Sequence, residues 1–187
     1  MRFASLWMAT CLGLAALDAA GQDLARAARD GQIASARVIL FESGIQFRMP
    51  MNETNLQRWG CTFTVSFKPD KMADLVDLLE RNLRVEPGHE GFPDQLRNIV
   101  YVRLLDGTRY RYALTDEVGG PGAKGTVYAW VDTYHGDGLP LVAGAQLLRE
   151  LRTWAASDTG RMNFRPACLE NRFGNEKVPG VEEIERG

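Results

Sequence analysis

The segment from Asn98 to Val118, NIVYVRLLDGTRYRYALTDEV, alternates apolar and polar residues on either side of Asp106-Gly107 and reads as a β-hairpin. The length of its loop decides which residues share a face, because a slip of one residue moves every side chain to the other side of the sheet. A two-residue turn pairs Leu104 with Arg109 and Val102 with Arg111, setting aliphatic side chains and arginines on one face. A three-residue loop from Leu105 to Gly107, with Gly107 left-handed, aligns Val100, Val102 and Leu104 with Tyr110, Tyr112 and Leu114 instead. We prefer this register, since it divides the hairpin into a core side and a wet side. Its consequence is that Tyr101, Arg103, Arg109 and Arg111 share the wet face.

Other segments supply the partners of that hairpin. GTVYAWVDTY, residues 125–134, is a third strand in which Val127, Ala129 and Val131 alternate with Tyr128, Trp130, Asp132 and Tyr134. CTFTVSFK alternates Cys61, Phe63, Val65 and Phe67 with Thr62, Thr64, Ser66 and Lys68. It runs directly into a helix with Asp70 as N-cap and an apolar stripe of Met72, Leu75, Val76, Leu79 and Leu83. A further helix is expected from Pro140 to Ala156, and an alanine-rich one from Gln22 to Ala36, interrupted near Asp30 and Gly31. Val38–Phe41 and Ile45–Met49, flanking Glu42-Ser43-Gly44, read as a second hairpin, and Arg84 to Gln95 as a loop. The expected fold is α+β, a mostly antiparallel sheet of about four to six strands packed with two to three helices.

The first 21 residues follow the grammar of a signal peptide, with Arg2, an apolar run from Ala4 to Leu17, and small residues up to a cleavage point after Gly21. The run is shorter than the roughly 20 residues a membrane-spanning helix needs. Residues 22–156 then form one α+β domain, and residues 157–187 a tail tethered by Cys168. Cleavage removes Cys11, so an oxidising compartment would pair Cys61 with Cys168. The expected location is outside the cytoplasm, in a periplasm or beyond the cell, with no integral membrane segment left after cleavage.

Composition and motif spacing narrow the function. A formal charge of -2 and a pI near 5.8 lack the basic excess of a protein that neutralises nucleic-acid phosphates. The glycine run Gly119-Gly120-Pro121-Gly122-Ala123-Lys124-Gly125-Thr126 misses the spacing of a phosphate-binding loop and lies between strands, so it reads as a connection. Asp158-Thr159-Gly160 resembles the aspartic-protease triplet but follows a helix and lacks a second copy, so it reads as a helix-ending turn with a capping glycine. Asp132, His135 and Asp137 are an alternative catalytic cluster for a small hydrolase or metal-assisted enzyme, with His89 as a further base. Asn52-Glu53-Thr54 matches a glycosylation acceptor. No cofactor or metal is expected.

What remains is the hairpin's wet face. Tyr101, Arg103, Arg109 and Arg111, extended by Tyr128 and Trp130, are residue types that dominate protein interfaces. The expectation is a non-enzymatic binding module, an inhibitor or immunity-type protein, gripping a protein partner of unknown identity through these residues. The competing arrangement has helices over both sides of the sheet, with Tyr128 and Trp130 in the core and the arginines at its rim. A structural subunit of an envelope assembly is a third expectation.

Overall fold

The computed structural model describes residues 23–44, 51–85, 96–116, 125–133 and 138–170. Among these, eight strands form a single sheet, larger than the sequence pattern predicts. In chain order the elements are α1 (residues 23–29), β1 (Ile33–Leu40), α2 (Glu53–Trp59), β2 (Cys61–Ser66), α3 (Pro69–Asn82), β3 (Arg84–Val85) and β4 (Asn98–Leu104). They continue with β5 (Arg109–Leu114), β6 (Thr126–Thr133), β7 (Leu139–Gly144), α4 (Gln146–Ala156), β8 (Gly160–Met162) and a 3-10 turn at Pro166–Cys168. The strand order is β3-β7-β6-β5-β4-β1-β2-β8, with every neighbouring pair antiparallel.

The hairpin adopts the preferred register. Val100 lies opposite Tyr112, Tyr101 opposite Arg111, Val102 opposite Tyr110, and Arg103 opposite Arg109. Its loop runs from Leu105 to Gly107, and Gly107 is left-handed at φ +93°. The Leu104 N–H donates to the Thr108 carbonyl at 2.9 Å, closing the loop, and the Thr108 N–H donates to the Asp106 carboxylate at 2.8 Å.

One face of the sheet carries the main core. Val38, Phe63, Val65, Val100, Val102, Tyr110, Tyr112, Val127 and Ala129 pack there against apolar residues of α1, α3 and α4. In α3 the buried stripe is Met72, Leu75, Val76, Leu78 and Leu79. Trp154 of α4 donates its indole N–H to the Lys71 carbonyl at 2.9 Å, and the Lys71 ammonium donates to the Trp154 carbonyl at 2.7 Å, fixing the two helices together. The predicted pairing of Cys61 with Cys168 is present as a disulfide spanning 107 residues. Chain entropy assigns a loop of that length about 4.7 kcal/mol. Among the described residues no helix is long and apolar enough to cross a membrane.

Several local expectations change. Val38 to Leu40 cannot pair with 45–49 as a hairpin, because β1 has β2 on one side and β4 on the other; residues 45–49 themselves lie outside the described set. Leu139 to Gly144 form a strand rather than the start of α4, since Leu141 and Ala143 enter the core opposite Ala129 and Val127. Pro140 is tolerated there because the two-residue β3 pairs only with Val142 and Leu141 and asks nothing of its missing N–H. Helix α3 begins at Pro69 with Lys68 as its N-cap, so Asp70 is a first-turn acid instead of the cap. The alternation of β2 stops at Ser66, and Phe67 turns outward at φ 57°, 85% exposed. Gly160 does not cap α4; it opens β8, and Asp158 takes the left-handed conformation in the turn at φ 52°.

Candidate functional site

Among the described residues, the second face of the sheet is only partly covered. Helix α2 lies over one end of it, where Leu56 and Met51 pack on Ile39, Phe41, Leu96, Ile99 and Ala113. Asn52 caps this helix by accepting the Asn55 N–H at 2.8 Å, which gives the residue a structural role within its glycosylation-type triplet. Beyond α2 the face opens into a groove of about 700 Å³. That volume lies within the range typical of ligand sites, roughly 300–1,000 Å³.

Strand register arranges the groove in three rows. The first runs Ile39, Ile99, Ala113, Trp130 across β1, β4, β5 and β6, and is apolar. The second runs Arg37, Tyr101, Arg111, Asp132 across the same strands. The third holds Ser35, Arg103 and Arg109. Residues of all three rows line the groove, together with Glu53 and Gln57 from α2. A ligand lying along the strands would therefore meet an apolar end, a hydrogen-bonded middle and a cationic outer end.

The middle row is cross-linked by hydrogen bonds. Arg111 donates from Nε to both oxygens of Asp132, at 3.2 and 3.0 Å, and its two terminal nitrogens reach Asp132 and Glu53, each at 2.5 Å. Hydrogen bonding by Asp132, and then by Glu53, holds the guanidinium above its ordinary pKa. The Tyr101 hydroxyl donates to Glu53, and Gln57 donates to the tyrosine oxygen at 3.2 Å. Burial, followed by that bond to Glu53, pushes the Tyr101 phenol up to about 12. Arg37 stacks its guanidinium over the Tyr101 ring at 5.6 Å.

Arg103 and Arg109 stand directly opposite each other, and like charges so placed disfavour the sheet. Arg37 and Arg111 occupy the adjacent row. Among the described residues that line the groove, four arginines thus meet two carboxylates, Glu53 and Asp132, on a chain whose formal charge is -2. Both carboxylates are engaged by Arg111, while Arg103, Arg109 and Arg37 are exposed beside them.

At the other end, Trp130 is half-buried against the second core cluster and abutted by Gly138. A Cβ on Gly138 would fall 1.6 Å from the indole Nε1, so glycine is required for the indole to sit where it does.

Of the residues singled out from sequence, Tyr101, Arg103, Arg109, Arg111 and Trp130 come together around the groove. Tyr128 lies two positions beyond Trp130, opposite Val142, and does not line it. Asp132, first read with His135 and Asp137, is instead the partner of Arg111; His135, Asp137 and His89 lie outside the described residues. Among the described residues no group of three His, Cys, Asp or Glu side chains is placed to hold a metal ion. Glu53, Gln57 and Arg37 were not legible as site residues. Glu53 carried one signal, its place in the first turn after an N-capping Asn52. Among the described residues the arrangement of helices over both faces is half realised, since α2 covers the Ile39 and Ile99 end and does not extend over the arginine rows. Compared with family models, curated proteins and solved structures, the chain matches none.

Proposed function

We propose that this protein is an exported, non-enzymatic binding module that recognises a protein partner through the arginine and aromatic face of its sheet, in the manner of an inhibitor or immunity-type protein. The observation that carries this reading is the groove itself: arginines and half-buried aromatics on an open sheet face, held in place by α2 from one side. Arginine, tyrosine and tryptophan bring large contact area and fixed donor geometry at modest entropic cost, which is why they concentrate binding energy in interfaces. The disulfide and the leader-like first 21 residues support a periplasmic or extracellular site of action.

The test is affinity capture from an envelope extract of the source cell, run in parallel with the wild type and with Arg103→Gln plus Arg109→Gln. A partner retained by wild type and lost by the folded double variant is the expected result. Equal retention by both proteins would exclude this face as the recognition surface.

A further inference from the structure

The geometry points to a seat for a tetrahedral oxyanion, a phosphate or sulfate group, between Arg37 of β1 and Arg103 of β4, with the Ser35 hydroxyl as a third donor. This goes beyond the binding reading above and stands without a protein partner.

A register shift builds the seat. Ile33 of β1 pairs with Leu104 of β4, but beyond it Ser35 pairs with Arg103 and Arg37 with Tyr101, because one extra residue, Ala34, is inserted between Ile33 and Ser35. Counted on from Ile33 without that insertion, Ser35 would oppose Val102 and Arg37 would oppose Val100, both residues of the main core. The shift delivers Ser35 and Arg37 to the side of the sheet that carries Tyr101 and Arg103, and all four line the groove. Bulges recur beside functional sites because they re-aim side chains in this way.

The donors are placed in advance and unspent. Arg37 and Arg103 are diagonal neighbours on adjacent antiparallel strands, about 7–8 Å apart at Cα, so side chains of this length reach a common ligand. The Arg37 guanidinium lies over the Tyr101 ring at 5.6 Å, and that ring is itself fixed by its hydroxyl, which donates to Glu53 and accepts from Gln57 at 3.2 Å. Contact with the ring face uses none of the guanidinium N–H donors. Both arginines are exposed, and among the described residues neither guanidinium has a hydrogen-bond or ion-pair partner, nor has the Ser35 hydroxyl. A carboxylate has two coplanar oxygens and matches a single guanidinium fork. Two forks from different strands, with a hydroxyl beside them, match a group that presents at least three oxygens in three dimensions, as phosphate and sulfate do.

The experiment uses the full protein in a buffer free of phosphate and sulfate, titrated separately with inorganic phosphate, sulfate, acetate, and a blocked phosphoserine peptide beside its unmodified serine counterpart. Binding is read from the Nε–H resonances of Arg37 and Arg103, assigned with Arg37→Gln and Arg103→Gln. Phosphate and sulfate should shift both resonances along one saturation curve, and acetate should bind about tenfold more weakly or worse. Either arginine substitution should weaken phosphate by about tenfold or more and Ser35→Ala severalfold, whereas Arg58→Gln, at an exposed arginine of α2, should leave it unchanged. The peptides separate the sources. A phosphoserine peptide that binds more tightly than inorganic phosphate, beside a serine peptide that does not bind, supports the seat with an ester carried on a larger molecule as its occupant; a phosphopeptide no tighter than inorganic phosphate supports it with the free ion. A linear, unsaturating response to phosphate in the wild type, acetate as tight as phosphate, or affinity untouched by both arginine substitutions would overturn the seat. Because these titrations contain only the protein and defined ligands, their failure leaves the binding reading to be decided by the capture experiment.

Discussion

Glu53 and Arg111, 58 residues apart in sequence, meet at 2.5 Å across the groove, so that a short helix and the middle of a sheet are joined by charge. The contact is partly open to water, with side-chain exposures of 37% for Arg111 and 34% for Glu53, so its net contribution is discounted accordingly. A double-mutant cycle with Glu53→Gln and Arg111→Gln should give a coupling of about 0.5–1 kcal/mol in urea unfolding. A coupling indistinguishable from zero would mean that the pair does not hold α2 in solution.

Tyr101 makes stability fall at alkaline pH. Its phenol is raised from 10.0 to about 12 in the folded chain, first by burial and then by Glu53, so folding favours the neutral form. The contribution is whole below pH 10.0, where both states are protonated, and is lost as pH rises through about 12. Tyr110 and Tyr112 are raised by burial in the same direction and add to the slope. Urea midpoints measured at roughly pH 9 and roughly pH 11 should therefore drop, and drop less in Tyr101→Phe. An unchanged drop in that variant would remove Tyr101 from the account.

Gly138→Ala should disturb the groove more than the core. The added methyl would lie 1.6 Å from the Trp130 Nε1, so the indole must move. Overpacking of this kind costs typically 1–3 kcal/mol. A shifted Trp130 emission with a cooperative unfolding transition is the expected signature; an unperturbed indole would show that the Gly138 backbone yields instead.

Arg103→Gln should leave stability unchanged or raise it by a few tenths of a kcal/mol, because it relieves the repulsion with Arg109 across β4 and β5. A destabilisation above about 1 kcal/mol would show that Arg103 is a structural residue, since surface changes away from special contacts stay within about 0.5 kcal/mol.

Replacing Cys61 and Cys168 together by serine should cost about 2–5 kcal/mol. The same loss should follow reduction of the wild-type protein, read from thermal unfolding with and without a thiol reductant. If reduction leaves the midpoint where it was, the bridge contributes little to the folded chain.

The hairpin could be read from sequence because two local signals, the Asp106-Gly107 turn and the period-two alternation, pointed to one register, which fixes faces without knowledge of the rest of the fold. The Cys61–Cys168 bridge followed from counting the cysteines outside the leader-like first 21 residues. Helix α2 gave no such signal: of its seven residues Leu56 alone is buried, so hydrophobic periodicity had nothing to detect. Glu53 and Gln57 were missed with it, and so was the lid they place over the middle row. In β7, Pro140 and the helical spacing of Val142, Ala145 and Leu148 suggested a helix, while the pairing with β6 that makes it a strand is a tertiary contact.

The alternation of β4 sends Val100 and Val102 into the main core and Tyr101 and Arg103 into the groove, and β5 repeats the division with Tyr110 and Tyr112 against Arg109 and Arg111. On the binding reading proposed above, folding instructions and recognition chemistry are thus interleaved residue by residue along the same two strands, but written on opposite sides of the sheet. On that reading the groove is in effect an exchangeable face, its specificity set by outward side chains such as Arg103 while Val100, Val102, Tyr110 and Tyr112 keep the packing beneath.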